Sequence, residues 1–165
     1  MYQKYQREYS YKELLHKAAS YSAYQDRSVF DVEQKLKTWN ASEDDINKIL
    51  DKLISEKYLD EERFALSFAR GKLKGNKWGK RKISIALQQK KIGKTIIQKA
   101  LSSLDAELYW DILIKVSEQK WNSLAKEKDE RVKKYKLLQF LLGRGFESDL
   151  NQEAYLHLLN TNNDE

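Results

Sequence analysis

An all-α fold follows from three features of the sequence. The chain contains no proline, so the commonest helix breaker is absent. Apolar residues recur at helical spacing almost throughout. The third feature is a repeat. Shifted by 51 residues, Val32, Leu36, Ala41, Ile46, Ile49, Leu50 and Leu53 fall on Ile83, Leu87, Ile92, Ile97, Ala100, Leu101 and Leu104. A further shift of 54 reaches Leu137, Leu141, Phe146, Asn151, Ala154, Tyr155 and Leu158. Only Asn151 breaks the apolar pattern, and Leu150 stands beside it. The sequence therefore predicts three tandem three-helix repeats over residues 1–58, 59–104 and 105–159, with a frayed tail at 160–165. Repeats of this kind pack mainly on their neighbours, so an elongated, curved molecule is expected.

The elements follow in order. Leu14, Leu15, Ala18 and Ala19 give a first short helix. Ser28 is the N-cap of a second, with Val32 and Leu36 inward. Asn40 ends it, because Asn tolerates the left-handed conformation. Ser42 caps a third helix, and the acids Glu43 to Asp45 sit in its first turn, where the helix dipole favours them. Its buried face is Ile46, Ile49, Leu50 and Leu53. The second repeat opens with a helix from Asp60 to about Lys74, with Phe64, Ala65, Phe68 and Leu73 inward. Gly71 ends or loosens that helix, and Gly75 to Gly79 reads as the turn to the next. The third repeat opens with a helix from about Asp105 to Ala125, packing through Leu108, Ile112, Val116 and Trp121. Lys126 to Glu130 is a polar turn before a helix that runs through Leu142. Trp39, Trp110 and Trp121 read as core anchors.

Charge is distributed unevenly along this scaffold. From Arg63 to Leu104 there are twelve Lys or Arg residues and no Asp or Glu. The rest of the chain holds nineteen basic and twenty-five acidic residues, a balance of minus six. A block that repels itself this strongly points to an anionic partner, and nucleic acid is the first anion to consider. The candidate contact residues are Arg63, Arg70, Lys72, Lys74, Lys77, Trp78, Lys80, Arg81, Lys82, Lys90 and Lys91. Phosphate contacts of this kind give affinity with little sequence preference. Trp78 reads first as a packing residue of the glycine turn and second as a platform for a stacked base.

Other chemistries are excluded by the residues. Gly93-Lys94-Thr95 has the form of a phosphate-loop tail, but the required earlier glycine is Gln88 and a basic helix stands where a strand should precede. His16 and His157 are the only histidines. Glu13 lies three residues before His16, yet no second such motif exists to complete a di-metal site, so the two read as helix-surface neighbours. No Ser/His/Asp constellation is visible, and no catalytic, cofactor or metal site is expected. Cysteine is absent, which removes disulfides and fits a reducing compartment. The start MYQKYQREYS has no apolar run, and no stretch approaches a membrane span. A soluble, cytoplasmic protein with no membrane partner is expected.

These residues together resemble the RecX family, the bacterial regulators of RecA recombinase. Arg27-Ser28, Asp31-Val32 and Lys35-Leu36 are similar to one family pattern. Leu59-Asp-Glu-Glu-Arg-Phe-Ala65, followed by Phe68, Arg70, a glycine turn and Gly79-Lys-Arg-Lys-Ile83, resembles its most distinctive segment. Arg144-Gly145-Phe146 with Asp149 resembles the terminal signature. The family has glycine between the second and third helices of a repeat. Here only Gly145 keeps it, while Asn40 and Lys91 replace it. A left-handed Lys91 costs about 1 kcal/mol, so a differently built turn is expected there. The family's proline after the glycine of the second repeat is Lys80 here.

The resemblance implies a non-enzymatic regulator. A monomer without cofactors is expected. It would bind the groove of the RecA filament on single-stranded DNA, with double-stranded DNA as a second partner. It would restrain ATP hydrolysis, strand exchange and filament extension in recombination, DNA repair and the SOS response. The alternatives from the residues themselves are a free-standing helix-turn-helix DNA-binding protein and a basic RNA- or ribosome-associated protein.

Overall fold

The computed structural model describes residues 7–162. Among them are nine α-helices and no strand: α1 (Tyr11–Tyr24), α2 (Val29–Thr38), α3 (Glu43–Ser55), α4 (Glu61–Asn76), α5 (Lys80–Gln89), α6 (Lys94–Ser102), α7 (Ala106–Ser123), α8 (Glu130–Gly143) and α9 (Ser148–Asn162). Local chemistry sets most of the starts. Ser10 and Ser28 form full capping boxes with Glu13 and Asp31, satisfying two orphan amides each. Ser42 and Asp105 accept from the third amide of α3 and α7, and Asp129 caps α8. Asp60 accepts from the Arg63 amide at 2.9 Å and opens α4.

The residues group into two compact units, whose boundary in the chain falls inside α4. The first contains residues 7–65 and Lys90–Ile92, and α1, α2 and α3 pack on one another in it. Its core is Leu14, Ala18, Val32, Leu36, Ile46, Ile49, Leu50, Leu53 and Leu59. The second unit contains Leu66–Gln89 and residues 93–162. In it α5 packs on α6, and α7, α8 and α9 pack mutually. The positions related by the two sequence shifts are buried throughout, except Ala41 and Leu101, which are half-buried.

Asn151 stands where the other repeats carry Ile46 and Ile97, and it is buried all the same. Its side-chain amide donates to the Phe146 carbonyl at 3.0 Å. That bond offsets part of the cost of burying a polar group in an apolar position. Leu150, beside it, is only half-buried.

Several details differ from the sequence reading, each for a physical reason. Gly71 and Gly75 do not end α4; the helix continues through both to Asn76. Two helical glycines cost roughly 1 kcal/mol each, and the burial of Phe64, Ala65, Ala69 and Leu73 outweighs that. Phe68 is half-buried, and Ala69 takes the inward position. Lys91 does adopt the left-handed conformation, at φ 58°, as Asn40 does at 57° and Gly145 at 93°. The compensation is Ile92, which the turn delivers into the core at 5% exposure; burying an Ile stabilises by about 1.5–3 kcal/mol. After α2 and α8 the same turn closes with paired bonds, Ala41 amide to Leu36 carbonyl and Phe146 amide to Leu141 carbonyl, both 3.1 Å. Trp121 is buried, but Trp39 and Trp110 are only half-buried. They meet Tyr21 and His157 edge-on, at 6.4 and 6.1 Å between centroids. Helix α9 runs on to Asn162; the rest of the expected tail lies outside the described residues.

Candidate nucleic-acid interface

The acid-free run in sequence is not acid-free in space. In the first unit, the Arg63 guanidinium donates to Asp26 at 3.1 Å and to the carbonyls of Lys57 and Tyr58 at 3.3 Å each. Lys90 meets Asp31 at 2.7 Å and lies 5.8 Å from the Phe64 ring. Burial alone pushes the Asp31 carboxyl up; the Lys90 ammonium and the Ser28 amide and hydroxyl outweigh it and hold the carboxyl below its ordinary value. Arg63 and Lys90 are thus structural groups of that unit. Lys91 is exposed, with its ammonium 5.2 Å from Phe30.

The remaining candidates belong to the second unit. Arg70 and Lys74 are exposed on α4 and border a shallow depression of about 170 Å³, which Asp105 also lines. Lys77, left-handed at φ 57°, turns its ammonium back onto the Lys74 carbonyl at 2.7 Å and closes α4. Lys72 and Lys82 both converge on Trp78, each 4.8 Å from the ring centroid. The Lys80 ammonium lies 5.1 Å from the Tyr109 ring, and Arg81 is exposed.

What positions Lys80, Arg81 and Lys82 is the start of α5. Gly79 is buried, and its amide donates to the Arg144 carbonyl at 2.8 Å. The Arg81 amide donates to the Gly145 carbonyl at 3.0 Å. Between them, the Lys80 amide donates to the Tyr109 hydroxyl at 2.9 Å. The carbonyls that end α8 therefore satisfy the amides that begin α5. Sequence reasoning missed this arrangement, because the partners lie at the far end of the chain. It has a chemical consequence: these first amides are occupied, so an anion at α5 must be met by side chains and not by a free helix start.

Tyr109 is the hub of this joint. Its hydroxyl donates onward to the Glu147 carboxylate, at 3.1 and 3.0 Å from the two oxygens. Burial, foremost, pushes the phenol pKa up, and Glu147 adds to the shift against the opposing Lys80 amide. The hydroxyl thus keeps its proton and remains a donor. Tyr109→Phe is expected to destabilise by about 1–3 kcal/mol, because the Lys80 amide loses its acceptor. A urea unfolding midpoint that does not move would contradict this.

The residues set aside as non-functional have ordinary surroundings. Glu13 accepts from the Ser10 amide and pairs with Arg7 at 3.2 Å, while His16 is exposed. No group of three or more metal-ligating side chains occurs among the described residues. Among them, too, no helix is long and apolar enough to cross a membrane.

Comparison with known proteins agrees with this architecture. A family model of the RecX second three-helix domain matches residues 60–101, and one of the RecX third three-helix domain matches residues 107–154. Together they cover more than half of the chain. Regulatory protein RecX of Clostridium botulinum (strain Eklund 17B / Type B) is 34% identical over 130 residues, covering 78% of this chain and 60% of that protein. Regulatory protein RecX of Clostridium tetani (strain Massachusetts / E88) is 32% identical, covering 73% of this chain and 54% of that protein. The chain thus spans less than two thirds of the length of these relatives. A crystal structure of RecX from Lactobacillus salivarius superposes with a TM-score of 0.80 at 27% identity, covering 90% of this chain and 96% of that one. Helix content, repeat pattern and these matches lead to one conclusion: the chain belongs to the RecX family of regulatory proteins.

Proposed function

We propose that this chain regulates the RecA–DNA filament in the cytoplasm, most directly by restraining ATP hydrolysis, strand exchange and filament extension. It acts by binding and not by catalysis. The observation that carries the reading is the placement of cations at two helix starts of the second unit. Lys80, Arg81 and Lys82 all fall in the first turn of α5, and Lys94 opens α6, with no acid in either first turn. Cations at a helix start oppose the dipole, at about 0.3–1 kcal/mol each. A sequence optimised only for folding would place acids there, as α3 does with Glu43, Asp44 and Asp45. A phosphate backbone or an acidic protein surface relieves that repulsion on binding.

The RecA partner comes from the family resemblance of segments 59–83 and 144–149, and the basic groups suit the DNA that the filament encloses. Several weak contacts along one filament would add through effective concentration. The test is ATP hydrolysis by RecA assembled on single-stranded DNA, with this protein titrated in. Progressive inhibition well below one copy per RecA protomer is expected. An unchanged rate at saturation, from a sample that still binds naked DNA, would leave a general DNA-binding module instead.

A further inference from the structure

Within the second unit, two ammonium groups are gathered on a single aromatic ring. Lys72, in the last half of α4, and Lys82, in the first turn of α5, each place Nζ 4.8 Å from the centroid of Trp78. The two nitrogens therefore lie within about 10 Å of each other, held by the ring's quadrupole. Neither forms an ion pair among the described residues. Like charges this close repel, and no carboxylate among the described residues pairs with either.

The arrangement is also anchored from behind. The Trp78 amide donates to the Lys72 carbonyl at 3.1 Å, which ties the ring to the residue that sends it one ammonium. Lys82 is fixed by the α5 joint. Its backbone nitrogen and Cβ approach Gly145 so tightly that a Cβ on that glycine would fall under 3.0 Å from both. Two long side chains whose heads are already gathered lose less freedom on meeting an anion.

We infer that Trp78 serves as a pivot holding Lys72 and Lys82 as a paired clamp for the phosphodiester backbone of a DNA strand, rather than as a base-stacking platform. Two ammonium groups within about 10 Å of each other can each reach a phosphate of the same strand and displace its counterion. An ammonium group drawn to a face of the ring competes with a base for that face. The inference rests on the DNA-binding reading above and gives it a specific pair of contacts.

The experiment is equilibrium binding of the full chain to oligo(dT) and to an abasic oligomer of the same length, over a range of salt concentrations. The clamp predicts that Trp78→Ala weakens both by the same factor, roughly tenfold. Lys72→Ala with Lys82→Ala should reduce the salt slope by about 1.4, at about 0.7 per single-strand phosphate contact. Trp78→Phe keeps a ring for the ammonium groups and should retain most of the affinity, which separates the clamp from a folding defect. Loss by Trp78→Ala on oligo(dT) alone would make Trp78 a stacking platform and overturn the inference. An unchanged salt slope in the double lysine variant would overturn it too, while leaving DNA binding intact. Failure of the unsubstituted protein to bind either oligomer would overturn the DNA-binding reading itself.

Discussion

Gly145→Ala is expected to destabilise the second unit by about 3 kcal/mol and to lower its melting temperature by roughly 10 °C. Two separate effects contribute. Gly145 sits at φ 93°, a conformation that side chains rarely adopt, which costs about 1–2 kcal/mol for alanine. The new Cβ would also meet the Lys82 backbone and Cβ, which leave it no room; overpacking of this kind costs about 1–3 kcal/mol. Gly79→Ala isolates the steric effect. Gly79 has no positive φ, yet its Cβ would collide with the backbone of Gly145 and Phe146. The two glycines face one another across the same joint, so the double variant should lose less than the sum of the singles. Gly71→Ala is the opposite control. It is exposed, helical and open around its missing Cβ, so alanine should stabilise by about 0.5–1 kcal/mol. Thermal melts of the three variants decide the matter. If Gly145→Ala and Gly71→Ala moved in the same direction, the close approach of α5 to the α8–α9 turn would not be a stability determinant.

That joint shows where sequence reasoning reaches its limit. Caps such as Ser28 and Ser42 were legible because an N-cap bonds to an amide three residues away. The core positions were legible because helical period and the repeat shifts select the same faces, so Ile83 and Leu87 could be read from Val32 and Leu36. Long-range polar partners leave no such periodic trace. Asp26 lies 37 residues from Arg63, and Asp31 lies 59 from Lys90. A run that is free of acids in sequence therefore still contains neutralised cations, Arg63 and Lys90 among them. Nothing local marks Tyr109 as the acceptor for the Lys80 amide. Gly71 and Gly75 misled for a related reason: propensity is local, and burial along α4 overrides it. The charge block was legible as a block, but the division of labour within it was not.

Replacing Arg70, Lys74, Arg81 and Lys82 together by alanine is expected to weaken binding to single-stranded DNA by roughly a hundredfold at low salt, and to flatten the salt dependence by about 3. None of the four is paired with a carboxylate among the described residues, and none is buried. Each therefore remains available to displace a counterion from a phosphate. Helicity should be retained, because alanine is the strongest helix former and the cores of Leu73, Ile83 and Leu87 stay untouched. Stability should even rise by a few tenths of a kcal/mol per residue at Arg81 and Lys82, since removing cations from the first turn of α5 relieves their opposition to the helix dipole. A variant that is as helical, slightly more stable and much weaker in binding is the signature of charge retained for a partner. Weaker binding with an unchanged salt slope would mean that these side chains act through contacts other than phosphates. Equal binding at every salt concentration would remove this surface from the interface altogether.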